Sequence, residues 1–198
     1  MTPAAARELV TAAGAQAAIL VEGWSDQAAL ETLARRRGPA LHDRGIVVVP
    51  IGGVTNTDRF VRALGPQGLG VRLAGLCDIA EATYVRRGLE RAGMGADLDL
   101  VGMQALGFFV CDADLEDELI RALGTDAVER VFESQGELTG FRRFQAQPAQ
   151  LGRELTAQLR RFLRTRAGRK IRYGSLLVDA LDLQRVPRVL DQVLEAAG

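Results

Sequence analysis

Lysine is almost absent from this sequence of 198 residues, because arginine accounts for 24 of its 25 basic residues and Lys170 for the other. The two cysteines, Cys77 and Cys111, are not spaced as metal ligands, so we expect buried, reduced thiols. The single histidine, His42, lies in a polar loop, which indicates a surface residue and not a general base. No apolar run approaches the ~20 residues of a membrane span. Residues 1–10 contain no signal-like apolar core, so a cytoplasmic protein is expected.

The opposite charges are segregated along a chain of otherwise ordinary composition. Hydrophobic residues make up 47% and charged residues 25%, as in soluble globular proteins, and the formal net charge is zero. Residues 1–141 hold 13 basic and 20 acidic residues, whereas residues 142–172 hold ten basic residues and one acidic residue. An acidic region next to an arginine-rich segment suits metal-dependent work on a polyanion, with nucleic acid the first candidate. A solvated helix face is the alternative explanation of the basic segment.

The retained lysine is informative in so arginine-rich a chain. Arginine cannot supply a compact, titratable ammonium, so Lys170 suggests a role in which such a group is needed. Retention by chance is the alternative.

Acidic residues follow three predicted strands. Ala18–Val21 is a short apolar run that ends at Glu22, Val71–Cys77 ends at Asp78, and Leu106–Cys111 is followed by an acid-rich turn. Ligands of open α/β sheets bind at the carboxyl ends of the strands, and right-handed crossovers place those ends along one edge.

The first of these junctions also carries a second acid. Glu22 at a strand end and Asp26 on the first helical turn can converge on a hard cation such as Mg²⁺. Alternatively, Glu22 pairs with an arginine and Asp26 caps the following helix.

The remaining pattern predicts an α/β fold with a helical extension. Gly45–Ile51 is a further buried strand, which gives a parallel sheet of about four strands flanked by helices. After Thr125 the spacing is helical throughout. We therefore expect residues 1–125 to form an α/β domain, with a core that begins near residue 17, and residues 126–198 to form a basic helical extension packed on it.

Five short motifs resemble the Toprim domain, and within it the nuclease half of the OLD (overcoming lysogenization defect) family of ATP-dependent endonucleases. Val21–Asp26 resembles the first acidic motif of that family, and Val49–Gly53 its second strand and glycine turn. Leu76–Asp78 lies where an Asp-x-Asp motif belongs, Asp114–Glu116 resembles a later acidic motif, and Lys170 the carboxyl-terminal lysine.

The resemblance, which covers roughly residues 17–173, implies a Toprim-like fold and a metal-dependent DNA endonuclease or nickase. Glu22 and Lys170 would be catalytic. Mg²⁺ or Mn²⁺ would be held by acidic residues: Glu22, Asp26, Asp78, Glu81, Asp114 and Glu116. The DNA backbone would be bound by arginines: Arg160, Arg161, Arg164, Arg169 and Arg172.

Two departures from the family pattern matter. Asp78 is followed by Ile79, Ala80 and Glu81, so the second acid of Asp-x-Asp is missing, and Glu81 either substitutes for it or does not. No Gly-x-x-x-x-Gly-Lys-[Ser/Thr] loop occurs, so a separate ABC-type ATPase would have to supply any nucleotide-driven step. The alternative function is a degenerate Toprim module that binds DNA or such an ATPase. A homodimer is also left open.

Overall fold

A four-stranded, fully parallel sheet forms the centre of the fold. The computed structural model describes residues 1–166 and 168–198, and the strand order is β2-β1-β3-β4. The strands are β1 Ala17–Val21, β2 Ile46–Pro50, β3 Arg72–Cys77 and β4 Phe108–Val110. The predicted α/β fold with about four parallel strands is confirmed.

Eleven α-helices surround this sheet in the described residues. They are α1 Pro3–Ala12, α2 Trp24–Arg37, α3 Thr57–Leu64, α4 Ala82–Arg91, α5 Leu100–Ala105, α6 Leu115–Leu123, α7 Thr125–Ser134, α8 Leu138–Gln145, α9 Leu155–Leu163, α10 Arg169–Ala180 and α11 Arg188–Ala197. None of them combines the length and the apolar character that crossing a bilayer requires, over the part of the chain described.

The two faces of the sheet are covered by different helices. All five residues of β1 are buried, and they alternate between the faces as the strand period demands. Ala18 and Leu20 lie in the apolar cluster that is completed by α1, α3 and α4. Ile19 and Val21 lie in the larger cluster, to which α2 and the helices from α6 to α11 contribute.

An aromatic cluster joins the helices that follow residue 125. Phe132 of α7 lies 5.1–5.3 Å, between ring centroids, from Phe141 of α8, Phe162 of α9 and Tyr173 of α10. Burial of several large rings at these distances holds four short helices together more strongly than helix propensity would.

Helices α2 and α10 pack closely although they are far apart in the sequence. A Cβ atom on Gly174 of α10 would lie 2.7 Å from the backbone oxygen of Ser25, so only glycine permits this approach. Arg36 of α2 donates hydrogen bonds to the carbonyl oxygens of Val178 and Leu181 at the end of α10, at 2.6 and 2.8 Å. The first turn of α10 is thereby placed beside the first turn of α2.

Two local features of these elements have physical causes. Strand β4 begins at Phe108 and not at Leu106, because Gly107 has a positive φ of 84° that breaks the extended backbone. Helix α4 begins at Ala82, because residues 79–81 form a 3₁₀ turn first.

Replacement of Gly174 by alanine should disturb the contact between α2 and α10. The added methyl group would press on backbone, which cannot rotate away, so we expect the free energy of unfolding to fall by about 1–3 kcal/mol in urea titrations. Gly140→Ala on α8 is the matched control. Its Cβ would meet only the Phe162 ring, at 3.9 Å, and should be neutral or stabilising. Equal destabilisation by both substitutions would contradict this account of the interface.

Candidate metal centre

Three carboxylates meet at the carboxyl edge of the sheet. Glu22 follows β1 and Asp78 follows β3, and these strands are neighbours with Val21 opposite Leu76. Glu81 ends the 3₁₀ turn after Asp78. One carboxylate oxygen from each of Glu22, Asp78 and Glu81 lies within 4.8 Å of the others. Acids from two of the three predicted strand ends therefore meet here, and the acids that follow β4 are not members of this group.

The turn after β3 brings Glu81 to this centre. The backbone N–H of Glu81 donates to the carbonyl oxygen of Asp78 at 3.0 Å, which closes the 3₁₀ turn. Its carboxylate oxygen Oε2 is buried and has no hydrogen-bond partner among the described residues. A buried carboxylate oxygen without a hydrogen-bond donor is energetically costly, and a bound cation would stabilise it. Glu81 thus adds a third carboxylate to this centre, one position after Ala80.

Burial and neighbouring acids raise the pKa values of two of these carboxyl groups. Burial, with the nearby Glu22 and Asp78, raises the pKa of Glu81 to about 7. Burial raises the pKa of Asp78 to about 7 as well, although the Lys170 charge opposes it. Oxygen ligands of this kind, crowded and short of positive charge, fit a hard divalent ion such as Mg²⁺ or Mn²⁺.

Asp26 has a structural role beside the centre. Its Oδ2 accepts a hydrogen bond from the backbone N–H of Gly23 at 2.9 Å, which caps the start of α2. Burial raises its pKa to about 6, while Lys170 and this hydrogen bond act in the opposite direction. The hydrogen bond expected of a helix cap is therefore present at Asp26, next to the three converging acids, and its role as a metal ligand stays a prediction. For Glu22, the alternative of an arginine partner finds no support, since no basic nitrogen of the described residues lies within 4.0 Å of it.

Lys170 lies on the first turn of α10, on the same side of the sheet. Its Nζ is 3.3 Å from Oε1 of Glu116. Burial acts to lower the pKa of Lys170, but the charges of Glu116, Asp26 and Asp78 outweigh it and the pKa is raised. The amine is therefore a protonated cation at neutral pH.

Both carboxylate oxygens of Asp114 accept hydrogen bonds. It is the N-cap of α6, with its Oδ1 accepting from the backbone N–H of Asp117 at 2.8 Å. Its Oδ2 accepts from Arg160 and, at 2.7 Å, from Arg164. Burial acts to raise the pKa of Asp114, but the hydrogen bonds and charges of the two arginines outweigh it and the pKa is lowered.

The arginines predicted to bind DNA differ in their surroundings. Arg161 is exposed, while Arg160 and Arg164 contact Asp114. Arg172 pairs with Glu137, although half of its side chain is exposed. Arg169, in contrast, does not face solvent in this structure. Its side chain is only 5% exposed, because it packs over the Phe162 ring and pairs with Glu137 at 2.8 Å.

Glu137 was not among the predicted site residues. Its pairs with Arg169 and Arg172, on either side of Lys170, fix the first turn of α10. No motif marks this residue. Its one signal in the sequence is that it is the last acid before the arginine-rich segment.

The four-stranded parallel sheet and its flanking helices match the Toprim-type fold of OLD C-terminal regions. Residues 15–79 match the family described as "Overcoming lysogenization defect protein-like, TOPRIM domain". This confirms the resemblance noted in the sequence motifs.

Two solved structures share the fold. The C-terminal region of the Xanthomonas campestris pv. campestris OLD protein is 24% identical, with a TM-score of 0.69 over 93% of this chain and 92% of that chain. The C-terminal region of the Burkholderia pseudomallei OLD protein is 23% identical, with a TM-score of 0.69 over 92% of this chain and 97% of that chain. No curated protein matches the sequence.

The raised pKa values predict how stability depends on pH when metal is removed. Asp26, Asp78 and Glu81 hold protons in the folded chain, up to a pH of about 6 to 7, that the unfolded chain releases near pH 4. The free energy of unfolding should therefore fall as the pH rises from about 5 to about 8. We expect thermal melts in EDTA to show this fall, and Glu81→Gln to flatten it. The exposed Glu133→Gln is the control that should keep the slope. Stability that rises over this range would contradict the raised pKa values.

Proposed function

We propose that this protein is a divalent-metal-dependent endonuclease or nickase that hydrolyses phosphodiester bonds in DNA. The observation that carries this proposal is the convergence of Glu22, Asp78 and Glu81, with their oxygens within 4.8 Å, beside the ammonium group of Lys170. A bound metal ion and a cation near the phosphate together promote hydrolysis of a phosphodiester; the three carboxylates would hold the ion, and Lys170 would be the cation.

The residues of the centre would have different roles in the reaction. Glu22, Asp78 and Glu81 would hold Mg²⁺ or Mn²⁺, which when bound supplies the Lewis-acid charge for activating water and stabilising the leaving oxygen. Asp26, fixed by its bond to the Gly23 N–H, adds negative charge behind these ligands. Lys170 offsets the negative charge that develops on the pentacoordinate phosphate.

The substrate would be bound through its backbone. Exposed arginines of the segment 142–172 form a basic surface that suits phosphate contacts and carries no sequence readout. The most exposed of the predicted set are Arg161, Arg164 and Arg172. We also propose, from the resemblance to the OLD family, that an ABC-type ATPase works with this domain.

The alternative, a degenerate module that only binds DNA or a partner ATPase, follows from the acid missing at Ala80. The location of Glu81 argues against it, because a third carboxylate reaches Glu22 and Asp78 from the following turn. The active-nuclease proposal is therefore favoured.

Cleavage of supercoiled plasmid in Mn²⁺ tests the proposal. We expect the purified chain to nick the plasmid, Glu22→Ala to abolish nicking, and Lys170→Ala to lower the rate by about 10²–10³-fold. Asp112→Ala removes an acid whose side chain is 79% exposed and should leave the rate unchanged. Nicking that survives both Glu22→Ala and Lys170→Ala would place the chemistry elsewhere, and DNA binding without any nicking would favour the degenerate module.

A further inference from the structure

The acidic residues at the carboxyl edge fall into two groups that differ in their supply of positive charge. In the first group, no basic nitrogen of the described chain lies within 4.0 Å of the carboxylates: Glu22, Asp26, Asp78 and Glu81. In the second group, Asp114 and Glu116 both form ion pairs.

The second group is a closed ionic cluster. Arg164 Nη2 lies 2.7 Å from Asp114 Oδ2 and 3.3 Å from Glu116 Oε2, so one amino group bridges the two acids. Arg160 binds the same Asp114 oxygen, and Lys170 Nζ lies 3.3 Å from the other Glu116 oxygen. Asp114 and Glu116 are only 2% and 4% exposed. Two buried carboxylates therefore face three cations, one of which, Arg160, also lies 3.5 Å from Asp117.

The acids of this cluster are already paired with cations, so a divalent ion would add positive charge that no free carboxylate balances. Arginine stays protonated in proteins, so it cannot leave an acid by losing its proton. An ion that entered between Asp114 and Glu116 would have to displace two guanidinium groups and expose them to the repulsion of its own charge. The first group has the opposite balance, since none of its four acids has a basic nitrogen of the described residues within 4.0 Å.

We propose that the centre takes one divalent ion, on Glu22, Asp78 and Glu81, and that Arg160 and Arg164 take the place of a second ion on Asp114 and Glu116. This inference rests on the proposed nuclease function, in which two ions would otherwise share the acids. On this inference, Asp114 holds the two arginines in place and is not a metal ligand.

The same arrangement gives Arg164 a direct role. Its side chain is 49% exposed, and its Nη2 group alone makes both acid contacts. The remaining N–H donors, on Nε and Nη1, have no acceptor among the residues described and are free to bind a phosphate oxygen of the substrate. Arg164 thus supplies, from a fixed position, the positive charge that a second ion would supply.

Counting bound ions tests the inference without relying on activity. The full chain is dialysed against Mn²⁺ to saturation and the bound metal is measured by plasma mass spectrometry. We expect one ion per chain for the wild type and two for Arg160→Gln/Arg164→Gln, in which Asp114 and Glu116 lose their arginines. The matched control, Arg130→Gln/Arg185→Gln, removes the same charge from two exposed arginines that form no ion pair in the described structure, and should bind one.

Each result has a distinct meaning. Two ions on the wild type would overturn the inference and leave the nuclease proposal intact, whereas no bound ion would overturn the nuclease proposal itself. One ion on the Arg160→Gln/Arg164→Gln protein would also overturn the inference.

A second pair of variants tests the inference if the double variant does not fold. Asp114→Asn retains a good helix cap and should change the Kd for Mn²⁺ by less than about threefold, while Asp78→Asn should raise it by about tenfold or more. Equal weakening by the two would show that Asp114 is a ligand, against the inference.

Discussion

The crowding of negative charge at the carboxyl edge of the sheet is the feature on which the rest of this structure depends. Parallel pairing of β1 and β3 places Glu22 and Asp78 side by side, and the turn after β3 adds Glu81. Such crowding is costly in a partly buried site, as the raised pKa values of Asp78 and Glu81 record. A hard cation between the oxygens would remove that cost, so the same feature that destabilises the metal-free chain prepares it to bind metal.

The helices after residue 125 bring positive charge to this edge from a distant part of the sequence. Close packing at Gly174 brings α10 against α2, and Glu137 holds Arg169 and Arg172, so that Lys170 reaches Glu116. Packing in the aromatic cluster is thus linked to function, because it fixes where the ammonium group lies.

The sequence predicted the parts of the site that depend on local pattern. Glu22 and Asp78 follow short, fully apolar strands, so their place at one sheet edge could be inferred from the strand ends alone. The contribution of Glu81 could not, because it depends on a 3₁₀ turn at residues 79–81 that no periodicity encodes.

The partners of the arginines were beyond sequence reasoning for a different reason. Asp114 contacts Arg160 and Arg164 across 46 and 50 residues, and Arg169 turns inward to Glu137. A basic segment shows that charge is present but not whether it faces solvent or a buried acid. The proposed metal centre is tested most directly by anomalous scattering from a crystal soaked in Mn²⁺. We expect a peak about 2–2.5 Å from one oxygen each of Glu22, Asp78 and Glu81. A peak between Asp114 and Glu116 alone, or no peak at this edge, would contradict it.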